Sequence, residues 1–194
     1  MQLSFRDRQH NQGLRSWRFG RGLWWMAGRR LLSVIAIATL SACSQTTTPI
    51  TSSALNSPFA DSQPALSGNG RYLAFVSNRG GSSKIALYDL RAKRLVDLPS
   101  IDRGDAIAET PSLSYTGRYI VYVASDRGRP EIELYDRISR RIQVLTNGYR
   151  GWVRNPNISA DGRYVVFETG RRGQWDIEVL DRGPGIELDR ADGS

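Results

Sequence analysis

Four groups of residues have types and spacings that could do chemistry. Glu131 and Glu133 stand two apart in a strand-like run, and Asp176 and Glu178 occupy the same two places one period later. Side chains two apart in a strand share a face, and paired carboxylates are the working parts of glycoside hydrolysis. Asp89, Asp136 and Asp181 recur at a fixed place, and so do Arg71, Arg118 and Arg163. A ring of the first would suit a cation and a ring of the second an anion. Trp152 and Trp175 offer flat apolar surfaces, for stacking on a sugar or anchoring a protein contact. Cys43 is the only cysteine and His10 the only histidine. One of each allows no internal disulfide and no Cys/His zinc cluster, and a serine triad would lack its base.

A structural role competes with each of these and carries more weight. In the first copy of the pattern Lys84 and Ala86 stand where the later copies have paired carboxylates. That variation predicts the solvent side of a half-exposed strand. An Asp closing a strand commonly caps the turn that follows, and an Arg beside a turn is ordinary flanking charge. Gly68-Asn69-Gly70 and Gly183-Pro184-Gly185 open no helix, so they read as turns rather than phosphate cradles. No Gly-x-Ser-x-Gly elbow occurs. The sequence therefore offers no catalytic residue, no cofactor and no metal ligand set.

The chain has 194 residues with a formal charge of +8. Before residue 44 there are seven arginines and one aspartate, leaving 20 basic and 18 acidic groups after it, or +2. A nucleic-acid partner is therefore not expected of the folded part. Arg29 and Arg30 precede an apolar stretch from Leu31 to Leu40. Such a stretch is long enough for the core of an export signal and too short to span a bilayer. Leu40-Ser41-Ala42-Cys43 then resembles the bacterial lipoprotein box, in which the cysteine receives the lipid. Cys43 is the expected lipidation site, residues 1–42 the leader, and Met26 a candidate true start. Ser44 after the cysteine differs from the Asp usual in inner-membrane retention, which leans toward the outer membrane. Residues 43–60 are rich in Ser and Thr and read as a flexible tether.

Residues 61–194 repeat a pattern three times, over about 61–108, 109–153 and 154–194. Pro64, Pro111 and Pro156 are 47 and 45 residues apart, and 19 residues separate Gly70 from Asp89, Gly117 from Asp136 and Gly162 from Asp181. A period near 45 residues is that of propeller blades. Asn69-Gly70 and Asp161-Gly162 are favoured hairpin turns, and Thr116-Gly117 is a poorer one. The runs from Tyr72, Tyr119 and Tyr164 lack polar alternation, which predicts strands buried on both faces. Those around Ile85, Ile132 and Ile177 alternate, which predicts one wet face. Arg94-Leu95-Val96 and Arg141 to Leu145 supply outer strands, and the third copy has only Gly185-Ile186-Glu187-Leu188 for that place. The expectation is an all-β, partial β-propeller of three four-stranded antiparallel blades without helix.

The anchors Pro156, Ser159, Asp161, Gly162, Arg163, Ile177 and Asp181, with their counterparts in the other copies, resemble the TolB-type repeat, related to WD-repeat propellers. No copy keeps the family's Pro before Asp, and two lack the turn Asp. With the lipoprotein box and the missing catalytic residues, the expectation is a non-enzymatic, lipid-anchored envelope protein, and the resemblance implies that it holds protein partners. Three blades fall short of the four to eight of a closed ring. A partner, or a second copy joining as three plus three, is therefore expected to complete it. Trp152, Trp175, Arg79, Arg127 and Arg171 are the expected contacts. The alternative is a sugar- or peptide-binding propeller, or a relic of a hydrolase's gating domain.

Overall fold

The computed structural model describes residues 55, 57–101, 107–125 and 127–190. The leader, Met26, Cys43 and most of the tether lie outside them. Eleven strands and no helix make up the described residues. The first sheet contains β1 (Asp61–Leu66), β2 (Tyr72–Ser77), β3 (Lys84–Asp89) and β4 (Arg94–Val96). The second contains β5 (Ala108–Leu113), β6 (Tyr119–Ala124), β7 (Glu131–Asp136) and β8 (Arg141–Val144). The third contains β9 (Val153–Ile158), β10 (Tyr164–Thr169) and β11 (Asp176–Asp181). Within each sheet the strands are antiparallel and neighbours in sequence are neighbours in space. The architecture is a three-bladed partial propeller.

The blades stack front to back. The back of blade 1 (Tyr72, Ala74, Val76, Ile85 and Leu87) packs on the front of blade 2 (Ile120, Tyr122, Ala124 and Tyr135). The back of blade 2 (Tyr119, Val121, Val123, Ile132 and Leu134) packs in the same way on Val153, Ile158, Val165 and Phe167 of blade 3. Because both faces of β7 are covered, the expected wet face is not found there. Glu131 and Glu133 are buried. The Tyr122 hydroxyl donates to Glu133 at 2.7 Å, and Arg127 and Arg129 reach Glu131 at 3.4 and 3.2 Å. The solvent-side reading of these glutamates is therefore corrected: they take part in the seam between blades 1 and 2. The opposite correction applies to β10, expected to be buried on both faces. Its residues alternate between buried and accessible, and Tyr164 is 41% exposed.

The first, inner strand of each blade, β1, β5 and β9, carries the same irregularity. Gln63, Thr110 and Asn155 have φ of 52°, 50° and 50°, and each precedes a proline. Sterics push a residue before proline toward extended backbone. The left-handed turn coincides with a shift of register against the neighbouring strand in every blade. The bulge places Pro64, Pro111 and Pro156, which have no N–H to donate, where the ladder does not need one.

The outer strand expected of Gly185 to Leu188 is not formed, and among the described residues β11 pairs only with β10. The segment crosses to blade 2 instead. In blades 1 and 3 the turn residue Asn69 or Asp161 accepts from the serine hydroxyl two residues before it and from the N–H of Arg71 or Arg163. Blade 2 has Thr116 at that place and lacks the acceptor. Asp189 supplies it from the C-terminal segment, accepting from the Ser114 hydroxyl at 2.6 Å, the Thr116 N–H at 2.8 Å and the Thr116 hydroxyl at 2.5 Å. Glu187 adds an ion pair to Arg118 at 2.8 Å, and the Tyr119 hydroxyl donates to the Glu187 carbonyl at 2.5 Å.

Asp189 is buried, so Asp189→Ala takes the acceptor from three donors, of which the two hydroxyls can turn elsewhere and the Thr116 N–H cannot, and is expected to cost about 2 kcal/mol in denaturant unfolding. Adding Thr116→Asp, which restores an acceptor within the turn, should recover most of that loss. Additive effects of the two substitutions would contradict the substitution of one carboxylate for another.

Candidate functional site

The recurring arginines and aspartates form neither a cation ring nor an anion ring, because they neutralise each other within each blade. Arg71 donates from Nε and Nη2 to Asp89, Arg118 to Asp136 and Arg163 to Asp181, at 2.9 to 3.3 Å. The other carboxylate contacts cap the following turn, as expected: Arg91 and Ala92 N–H on Asp89, Ile138 N–H on Asp136, Gly183 N–H on Asp181. Each arginine also lies over the tyrosine that follows it, at 4.9 to 5.2 Å from the ring centroid. Burial works to raise the Asp89 carboxyl, but the Ala92 N–H, the Arg71 guanidinium and the Arg91 N–H outweigh it and hold it below the usual range. Burial opposes in the same way at Asp136, where Arg118 prevails. On Asp181 the Arg163 guanidinium and the Gly183 N–H hold the carboxyl at about 2.

What the structure leaves unmatched is the back of blade 3. In the register of β10 with β11, Val166 faces Val179, and Glu168 faces Ile177. Ile177 and Val179 are 69% and 64% exposed, whereas Ile132 and Leu134, at the same positions of blade 2, are 0% and 2% exposed. Tyr164 continues the stripe, while its counterparts Tyr72 and Tyr119 are buried. No sheet covers this face among the described residues.

Trp152 and Trp175 are both exposed and come together beside the upper end of that stripe. Gly170 lies between them, and a methyl there would stand 3.8 Å from Trp152 and 3.9 Å from Trp175. The Arg154 guanidinium stacks 3.8 Å over Trp175 and pairs with Glu168 at 2.6 Å. At the lower end lies the Arg163–Asp181 pair, with both side chains partly exposed. The stripe thus runs Trp175, Ile177, Val179, Tyr164, with one arginine–carboxylate pair at each end.

The three loop arginines expected as contacts are engaged within their own blades. Arg79 binds Asp61 and the Ser77 hydroxyl and lies over Phe59 and Phe75. Arg127 pairs with Glu131, and Arg171 approaches Glu178 at 3.9 Å. Arg127 and Arg171 remain about half exposed, so these two keep surface toward solvent. The sequence also carried a signal for Asp189 that pattern reading passed over: Thr116 is the one turn residue of the three without an amide or carboxylate oxygen.

A trough of about 660 Å³ runs along the inner strands, lined by Gln63, Pro64, Thr110, Tyr115, Asn155 and Pro156 among others. It is where a ligand-binding propeller would hold a small molecule or peptide.

No protein-family model and no curated protein matches the chain. Solved structures do match in fold. TolB from Acinetobacter baumannii is similar with a TM-score of 0.51 and 21% identity, over 66% of this chain and 31% of that one. A protein described as TolB from Agrobacterium tumefaciens gives 0.52 and 19%, over 64% and 46%. A puromycin-hydrolysing peptidase from Mycobacterium tuberculosis gives 0.50 and 14%, over 68% and 20%. The fold is thus that of TolB and other β-propeller proteins, and the chain spans a third to under half of the TolB structures' length.

The depressed carboxyls fix a pH dependence. A group whose pKa is lower when folded adds stability that is fully present above its unfolded value, about 4 for Asp. That stability is lost as pH falls toward the folded value. Thermal midpoints should therefore hold steady above pH 5 and fall between about 4 and the value near 2 of Asp181. In Asp181→Asn the fall over this window should be shallower than in the wild type. An identical fall would show that the pair makes no contribution.

Proposed function

We propose that this chain is a non-enzymatic, lipid-anchored propeller-repeat protein of the bacterial cell envelope that binds protein through the open side of its third blade. The observation that carries the binding half is the stripe of Tyr164, Ile177 and Val179, exposed where both sister blades bury the same positions. Fully covering one aliphatic side chain is worth about 1.5–3 kcal/mol, so a second sheet laid on this stripe has ample drive. Exposed tryptophans at its end fit an interface anchor. The likeness to TolB supports holding partners rather than turning over a substrate.

The envelope half rests on Leu40-Ser41-Ala42-Cys43 and the Ser/Thr-rich stretch after it. Acylation at Cys43 would fix the chain to the membrane, with Ser44 favouring the periplasmic face of the outer membrane. The modest charge beyond residue 43 gives no pull toward nucleic acid.

A second copy is the simplest source of the covering sheet. Phe75 and Tyr88 on the front of blade 1 are already buried, so a copy would meet the stripe with its own third blade, in a two-fold pair. The charges allow it: a two-fold axis through the stripe brings Arg154–Glu168 of one copy beside Arg163–Asp181 of the other, and each pair is neutral, so no like charge is forced against its equal. The peptidase likeness favours a second reading, a gating or ligand-binding propeller, whose ligand would lie in the inner trough.

Crosslinking followed by mass measurement separates the readings. The expected result is a dimer that dissociates on dilution and is lost in the double variant Ile177→Lys, Val179→Lys, with unfolding unchanged. A monodisperse monomer that binds no apolar dye would overturn the proposal, and protection of the trough by a peptide would favour the second reading. Cys43→Ser should move the protein from the membrane fraction to the soluble one; unchanged partition would remove the anchor.

A further inference from the structure

Beside the exposed stripe lies a second unmet demand, along the outer edge of β11. In blades 1 and 2 that edge is occupied: β4 pairs with β3 through Asp89↔Arg94, Tyr88↔Leu95 and Leu87↔Val96. Likewise β8 pairs with β7 through Asp136↔Arg141, Tyr135↔Ile142, Leu134↔Gln143 and Glu133↔Val144. Both outer strands therefore begin with a basic residue opposite the closing aspartate and continue with an aliphatic residue opposite the next one back. In blade 3 the closing aspartate is Asp181 and the next residues are Leu180 and Val179. Among the described residues no strand stands opposite them.

The backbone of that edge is aimed outward. The Arg182 N–H donates to the Arg163 carbonyl across the β10–β11 pair. Alternation along an antiparallel strand then directs the N–H groups of Leu180 and Glu178 at β10, and those of Ile177, Val179 and Asp181 at the vacant edge. The equivalent residue in blade 2 shows the use of such groups: the Ile132 carbonyl accepts from Leu145 N–H at 2.8 Å and its N–H donates to the Thr146 hydroxyl at 2.9 Å.

The chain's own candidate for the place does not fit it. Laid on β11 in the register of β4, Ile186 would meet Asp181, and Glu187 would meet Leu180, which packs against the core shared with blade 2. A carboxylate there would lose water without gaining a partner. Glu187 and Asp189 are instead satisfied on blade 2, by Arg118, Ser114 and Thr116. The segment is thus drawn off the edge by the same contacts that complete the second turn.

We propose that the outer edge of β11 is a strand-addition site for an extended segment of a partner protein, of the pattern basic, aliphatic, any residue, aliphatic, paired antiparallel with Ile177 to Asp181. This rests on the reading of blade 3 as the binding side and names the chemistry it takes. Main-chain bonds to Ile177, Val179 and Asp181 supply affinity. The basic residue beside Asp181 and the aliphatic one beside Leu180 set the register; they take the places that Arg94 and Leu95, and Arg141 and Ile142, occupy in the sister blades.

The probe is a synthetic peptide with the sequence of residues 139–146, which carries β8, added to the full 194-residue chain. Binding is read as tryptophan fluorescence and as slowed amide exchange. The expected result is saturable binding with exchange slowed at Ile177, Val179 and Asp181. Peptides N-methylated on alternate residues should divide: one set, methylated on the face that pairs, binds at least about tenfold more weakly, and the other set is unaffected. Three outcomes overturn the proposal: no binding up to about 1 mM peptide, binding without slowed exchange at those three amides, or equal tolerance of both methylation patterns. A dimer seen by mass together with any of these leaves the stripe as an interface and removes only the edge.

Discussion

A sheet with apolar side chains on both faces can bury the second face only against another sheet, and this constraint governs the molecule. Each repeat here builds such a sheet. Its front carries residues such as Tyr122 and Phe167, its back a tyrosine, an isoleucine and a leucine or valine. The two seams that result hold the described cores, and they account for why Glu133, a polar residue on a strand that would otherwise face water, is enclosed and hydrogen-bonded to Tyr122. The same constraint, left unsatisfied once, produces the exposed stripe on blade 3.

The Arg–Asp clamp fixes the position of each turn against the end of its own sheet. A guanidinium spanning 18 residues to a carboxylate holds the hairpin that begins the second strand to the end of the third. The pairing consumes the charges that would otherwise form rings around an axis, so the recurrence of Arg71, Arg118 and Arg163 is a signature of blade closure and not of a ligand. Blade 2 is the tightest of the three: Arg118 binds two carboxylates, Asp136 and Glu187, and is the least accessible of the three arginines.

Departures from the repeat are where the molecule is specific. Thr116 removes an acceptor from the second turn, and Asp189 restores it from 73 residues away. That repair fixes the segment that would otherwise have lain beside β11. One local defect in a turn and one vacant strand edge in a different blade are therefore linked through a single stretch of chain, from Arg182 to Asp189. The binding surface proposed on blade 3 follows from this linkage as much as from the apolar stripe.

The local units were legible in the order of residues alone. Spacing between turn glycine and closing aspartate, alternation, and turn chemistry placed eleven of the twelve expected strands and their antiparallel order, because hairpin pairing depends on residues close in the chain. Residue order also placed the exposed tryptophans and the turn-capping role of the aspartates. Which faces met depended on how one sheet stacks on the next. Glu131 and Glu133 read as solvent-side because alternation reports polarity along one strand and not the presence of a sheet stacked on it. Tyr164, Ile177 and Val179 are written in the same apolar code as their buried counterparts, so nothing local marks them as exposed. The diverted outer strand likewise follows from a competition between β11 and blade 2 for the same residues, and contact with Arg118, Ser114 and Thr116 across about 70 positions has no local pattern to announce it.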